Sequence, residues 1–169
     1  IDKTIKSLSG DNTIAVVAVG GGKSLATVQF TANSWTTVAE GTYNFNGVGA
    51  QLFGASKPAT LQVNDANPKS FRFKNFWGTG KHMTFNLTDN KRIDDNGLTI
   101  TQLVVPEQAT PKTYGNYGTI FYADALTRKT LNASSYMYDD YYCMIVMQWY
   151  VSISPLANPT GYDTFEPNE

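Results

Sequence analysis

An all-β fold, an antiparallel sandwich or barrel of roughly nine to eleven short strands with no major helix, is predicted by three observations on the sequence. No stretch holds apolar residues at i, i+3 and i+4 over three turns, the spacing an amphipathic helix needs. Short alternating runs rich in Val, Thr, Tyr and Phe recur instead, and such residues suit a pleated, half-buried surface. Gly, Pro, Asn and Asp punctuate these runs at close intervals, which marks turns between short strands.

The first two elements are residues 14–19 and 25–30, β-rich runs joined by Gly-Gly-Gly-Lys-Ser and read as a hairpin with a longer loop. GTYNFN (41–46) puts Tyr43 and Phe45 on one face, and residues 50–53 are expected to pair with it across 47–49. Strands are next expected at 60–63 and 71–74, then at 83–87 and 98–103 around the turn-rich TDNKRIDDNG, and at 118–123. Residues 141–153 (YYCMIVMQWYVSI) read as the longest strand. One of its faces, Cys143, Ile145, Met147, Trp149, Val151 and Ile153, is wholly apolar and should meet the core. The tail at 161–165 reads as a final edge strand ended by Pro167. A seam near 31–34 divides the chain into a hairpin (1–33), read as the end of an upstream module, and an all-β domain (34–169). An isolated hairpin is marginal in water, so this one needs something to pack on.

Composition excludes several function classes. The net charge is -1 and 16% of residues are charged, without the basic excess that a nucleic-acid binder concentrates in a stripe. With 41% hydrophobic residues the chain has the material for a core, so disorder is not expected. No apolar run approaches the ~20 residues of a membrane-spanning helix. The single cysteine, Cys143, allows no internal disulfide, a pattern compatible with a bacterial exported protein. No signal peptide is read at Ile1-Asp2-Lys3, so the chain is expected to be mature or trimmed.

AVVAVGGGKS (15–24) invites comparison with a phosphate-binding loop, and it fails twice. The pattern G-x-x-x-x-G-K-[ST] requires glycine where Val17 stands, and the adjoining SLATVQF alternates as a strand when a helix is required. His82 is the only histidine, so a zinc centre or a Ser-His triad lacks its ligands or its base. Cys143, on an apolar strand face, reads as a small buried hydrophobe. Adjacent carboxylates at Asp94-Asp95 and Asp139-Asp140 point to opposite faces of a strand, so neither doublet reads as a glycosidase pair. Asp89, Asp94, Asp95 and Asn96 lie in a turn without the spacing of a Ca²⁺ loop. No catalytic residue, metal site or cofactor is therefore predicted. Asn86 and Asn132 stand in N-glycosylation patterns that matter only in a eukaryotic source.

Loop aromatics carry more information. Trp77 sits among glycines, Tyr114 and Tyr117 bracket Gly-Asn, and Tyr136, Tyr138, Tyr141 and Tyr142 crowd SYMYDDYY. Aromatic rings beside Asp and Asn suit stacking on sugar faces while the polar neighbours bind hydroxyls; packing over the ends of the fold is the alternative use. Trp77, Tyr114, Tyr117, Tyr138 and Asp140 are the expected ligand contacts.

Short aromatic-rich blocks succeed one another in a fixed order: Trp35, EGTYNF (40–45), SFRFKNFWGTGKHMTF (70–85), VVPEQATPKTYGNYGTIFYADA (104–125), WYVSISP (149–155) and GYDTFEP (161–167). Together, across 35–167, they resemble a domain of Bacteroidetes surface lipoproteins. The upstream GDNTIAVVAVGGGKSLATVQFTANS (10–34) is similar to the last two strands of an immunoglobulin-like or fibronectin-like module. The resemblance implies export to the outer surface or periplasm, a lipid anchor upstream of the chain, and a role in a glycan-foraging or adhesive assembly. It supplies no catalytic residues.

The function expected is thus a non-catalytic binding or accessory module, its partner a glycan or a surface protein. A structural subunit pairing through exposed strands is the alternative. A hydrolase built from Asp124 with Asp140 or Glu107 is the third reading.

Overall fold

A computed structural model describes residues 10–17, 25–32, 34–152 and 154–169, the first two stretches by their backbone alone. In chain order the elements are β1 (Gly10–Val17), β2 (Leu25–Ala32), β3 (Trp35–Asn44), α1 (Gly47–Phe53), β4 (Ser56–Asn64), β5 (Asn67–Phe73), β6 (Met83–Ile93), β7 (Thr99–Val104), β8 (Gln108–Thr113), β9 (Thr119–Asp124), α2 (Ala125–Arg128), β10 (Ser135–Tyr138), β11 (Cys143–Ile145), β12 (Met147–Val151), β13 (Ser154–Pro155) and β14 (Asp163–Pro167). The fold is all-β with no major helix, as predicted, and the choice between sandwich and barrel is resolved. Eight strands close an antiparallel barrel in the order β10-β11-β14-β3-β4-β5-β6-β7, and a separate sheet runs β13-β12-β9-β8.

The predicted hairpin is present: β1 and β2 pair antiparallel from Gly10↔Ala32 to Val17↔Leu25. The Gly-Gly-Gly-Lys-Ser run lies outside the described residues. The segment immediately after it, β2, is a strand, so the helix that a phosphate-binding loop requires is missing at that place.

Inside the barrel, alternate residues point inward. Tyr43, Leu61, Phe73, Met83, Phe85, Leu103, Cys143, Ile145 and Phe165 are all fully buried there. Phe73 lies at the centre of the aromatic packing, with ring centroids 5.4 Å from Tyr43, 5.6 Å from Phe85 and 5.0 Å from Phe165.

Strand register decides what sits at each end. At one end the connections are short turns: 64–67, 93–99 and 138–143. At the other they are long: α1 joins β3 to β4, the Trp77 loop joins β5 to β6, β8, β9 and α2 lie between β7 and β10, and β12 and β13 between β11 and β14. The four-stranded sheet is thus built wholly from the excursions of one end.

Four predicted elements are corrected. Residues 50–53 belong to α1, whose Val48, Leu52 and Phe53 pack on the core; a seven-residue helix holding two of the chain's glycines is too short to show a periodic signal. The long 141–153 strand is two strands in two sheets. At Val146 the backbone leaves the barrel: its N–H donates to Ser135 Oγ (3.0 Å) and its carbonyl accepts from Ala125 N–H (2.8 Å). The five core-facing residues from Cys143 to Val151 are buried as predicted, and Ile153 lies outside the described residues. The tail strand is no edge, because β14 pairs with β11 on one side and β3 on the other, and Pro167 still lies opposite Gly41. Finally, the described residues form fourteen strands against the roughly nine to eleven expected: the 141–153 run is two, and β8, β10 and the two-residue β13 went unread because QATPKT, SYMY and SP lack a sustained apolar alternation.

Candidate functional site

The long-connection end of the barrel is closed by rings drawn from almost every excursion. Phe53 of α1 lies 4.8 Å from Trp77 and 5.0 Å from Trp149 of β12; Tyr122 of β9 lies 5.5 Å from each of the same two indoles. Phe76 meets Trp77 edge to face at 4.7 Å. Trp77 is therefore half-buried in a packed cap, its Nε1–H donating to Tyr122 Oη at 2.9 Å. Half-buried Lys57 lies over Phe76 and Trp77, 4.0 and 5.1 Å from their ring centroids, and burial lowers its pKa.

The part of Trp77 that stays uncovered borders an open groove of about 440 Å³. Lys81 and His82 of its loop form one wall, and Gln108, Thr110 and Pro111 of β8 form the other. His82 Nδ1 accepts from Asn75 N–H at 3.0 Å, and partial burial together with Arg72 and Lys74 holds its pKa down, so the ring is neutral at pH 7. Gln108 is a clamp between the two sheets. Its Oε1 accepts from Thr84 N–H (2.8 Å) and its Nε2 donates to the Thr84 carbonyl (2.7 Å), tying β8 to barrel strand β6.

Three residues past Pro111, about 10 Å at ~3.4 Å per residue, the β8–β9 hairpin turns at Tyr114 and Tyr117. Their rings lie 6.1 Å apart and tilted by 33°, with 45% and 72% of their surfaces exposed. A 3₁₀ turn, Gly115–Tyr117, presents them, fastened by Tyr117 N–H to the Tyr114 carbonyl (2.9 Å).

Trp77 thus borders a groove walled by β8, and Tyr114 and Tyr117 stand at the turn that follows β8. Tyr138 and Asp140 are not with them: they occupy the β10–β11 turn at the opposite end of the barrel. There Tyr138 Oη donates to Asp94 Oδ2 (3.4 Å), and Asp140 Oδ1 accepts from Tyr142 N–H (3.0 Å). Both side chains serve turns. The Asp94 carboxylate also accepts from the backbone of Asn96 and Leu98, which with Tyr138 holds its pKa below the usual carboxylate range.

Of the carboxylates of the hydrolase reading, Asp124 and Asp140 stand at opposite ends of the barrel. Asp124 is fully buried at the capped end, where it accepts from Val105 N–H (2.9 Å) and caps α2 through the N–H groups of Leu126 and Thr127. Asp140 is at the far end, and Glu107 pairs with Arg128 at 3.6 Å. Cys143 is buried in the barrel and its thiol pKa is pushed up by burial, so it is no nucleophile. Among the described residues no group of three His, Cys, Asp or Glu could hold a metal ion, and no helix is long and apolar enough to cross a membrane.

A second concavity escaped the sequence reading. Between α1 and the connection from β13 to β14 lies a cavity of about 150 Å³. Asp163 lines it and is only 2% exposed; its Oδ1 accepts from Asn46 N–H (2.7 Å) and its Oδ2 from Tyr43 Oη (3.0 Å). Burial pushes its pKa up to about 7, against the pull of those two hydrogen bonds. Trp149, 3% exposed, also lines the cavity, and its Nε1–H finds no acceptor among the described residues. The available signal was that Asp163 shares a strand face with Phe165, an acid where a core residue belongs.

Compared with protein-family models, with curated proteins and with solved structures, the chain matches none.

Proposed function

We propose that this chain is a non-catalytic binding module of the bacterial outer surface or periplasm, and that it holds a glycan along the β8–β9 hairpin. One observation carries the reading: an open groove beside Trp77 is walled by β8 as far as Pro111, and the turn of the same hairpin, three residues farther on, carries two exposed tyrosines. Ring faces pack on the apolar faces of sugars, and the exposed ammonium group of Lys81 suits the hydroxyls between them. The resemblance to surface lipoprotein domains supports the same location and class of ligand. Titration against a panel of soluble polysaccharides, followed by calorimetry and indole fluorescence, should find one saturating class. Tyr117→Ala should then weaken binding about two- to twelve-fold, the ~0.5–1.5 kcal/mol of an aromatic contact. Unchanged affinity in a Tyr114→Ala/Tyr117→Ala double variant removes the hairpin from the site.

A second reading, a subunit that assembles through exposed strands, is supported by a different observation. The barrel strands have no free edges, whereas β1 and β2 pair only with each other among the described residues. A strict monomer in size-exclusion chromatography, with the hairpin protected from proteolysis, counts against it.

A further inference from the structure

The side chains of the groove beside Trp77 offer donors and withhold acceptors. Gln108 Oε1 already accepts from Thr84 N–H (2.8 Å) and from the Thr84 hydroxyl (3.1 Å). Thr110 is buried, and its Oγ1 accepts from Lys112 N–H (3.1 Å) and donates to the Lys112 carbonyl (3.3 Å). The Trp77 indole N–H is taken by Tyr122, so the indole presents apolar surface alone. Two donors are left. Lys81 is exposed, and its ammonium has no carboxylate partner among the described residues. His82 Nδ1 accepts from Asn75 N–H, so the neutral ring carries its proton on Nε2, and that N–H has no acceptor among the described residues. Lys81 is also held in place: Trp77 N–H donates to its carbonyl at 3.0 Å, and its own N–H donates to the Gly78 carbonyl at 2.9 Å.

The surrounding charges agree with this. No Asp or Glu lines the groove. Glu107, beside Gln108 in the chain, pairs with Arg128 at 3.6 Å. Partial burial, and then the charges of Arg72 and Lys74, lower the His82 pKa, so this wall stands in a positive field. Asp65, Asp94, Asp95, Asp139 and Asp140 all lie in the short turns at the opposite end of the barrel. We propose that the glycan held in this groove is acidic, one of its carboxylate or sulfate groups received by Lys81 and His82 while the sugar ring lies against Trp77; the inference rests on the glycan reading above and names the class of sugar. A hydroxyl would satisfy the donors as well, but only an anion gains from an unpaired ammonium and the field around it. Nucleic acid, another polyanion, asks for a basic stripe that a chain of net charge -1 does not supply.

The test titrates the whole chain by calorimetry with polygalacturonate, its full methyl ester, alginate, carrageenan, dextran and oligothymidylate. Saturable binding of at least one acidic polysaccharide is expected: polygalacturonate or alginate marks a carboxylate, carrageenan alone a sulfate. The affinity should fall several-fold as salt rises from about 0.05 to about 0.5 M. Lys81→Gln, an exposed change, should weaken binding about three- to ten-fold, while Lys81→Arg, which keeps the charge, should bind nearly as the parent does. Lys91→Gln, toward the far end of β6, should leave it unchanged. His82 is the only histidine, so its ring proton resonances report on the groove, and they should move on binding. A neutral polysaccharide bound as tightly as the acidic ones leaves the glycan reading standing and overturns this inference; no saturable response to any polysaccharide overturns both. Equal affinity in Lys81→Gln, unmoved His82 resonances, or oligothymidylate bound more tightly than every polysaccharide overturns it as well.

Discussion

Asp163→Asn should raise the melting temperature at pH 8 by roughly 10 °C and leave it nearly unchanged at pH 4. The cause is proton linkage. The carboxyl titrates near 3.8 in the unfolded chain and at about 7 in the fold, because burial disfavours its charged form. Below pH 4 it is protonated in both states and costs nothing. Between about 4 and 7 the folded state alone holds the proton, so stability falls as pH rises; above 7 the loss is complete. The difference amounts to ~4 kcal/mol at 1.36 kcal/mol per pKa unit. Asparagine cannot ionise, keeps an oxygen for Asn46 N–H, and offers an N–H to Tyr43 Oη, which can accept as well as donate. Thermal unfolding of parent and variant from pH 4 to 8 measures the divergence. Parallel curves across that range would show that Asp163 is not held in its neutral form.

Phe73→Ala should cost about 3–5 kcal/mol, the range for emptying a buried aromatic site. Phe73 is fully buried, and its ring touches those of Tyr43, Phe76, Phe85 and Phe165, which come from four different parts of the chain. A closed barrel has little freedom to collapse into the hole, since moving one wall strains hydrogen bonds on both of its sides. Denaturant unfolding should show a lower midpoint with an unchanged slope. A loss below about 1 kcal/mol would mean that the barrel interior is not packed as described. Tyr117→Ala, at a mostly exposed site, should shift stability by less than ~0.5 kcal/mol, so that its effect on binding is read without a folding contribution.

Much of the fold was legible because alternation is a local property. Leu61, Phe71, Phe73, Met83, Phe85, Ile100 and Leu103 all lie in strands anticipated from the sequence, and all are buried. The misreadings share one cause. Residues 50–53 were expected to pair with GTYNFN, yet they coil, and α1 sets Phe53 against Trp77 and Trp149 in the cap of the barrel. The run 141–153 is apolar almost throughout, yet it changes sheets at Val146, where Ser135 and Ala125, from other elements, take that residue's backbone groups. Of the candidate contacts, Tyr114 and Tyr117 lie at the β8–β9 turn and Trp77 borders the groove walled by β8, while Tyr138 and Asp140 were grouped with them by composition alone and sit at the other end.

By itself, then, the sequence determined the class of fold, the inward faces of most strands, the burial of Cys143 and the failure of the glycine-rich loop as a nucleotide site. Each of these rests on spacing within a dozen residues or so. Closure of the barrel, the aromatic cap and the acidic cavity were decided only in three dimensions. Asp163 is buried because β14 is laid between β3 and β11, and its hydrogen bonds come from Tyr43 and Asn46, 120 and 117 positions away. Local pattern sets which way a side chain points from its own strand; which strand lies beside it, and so what a buried carboxyl meets, is set by long-range pairing.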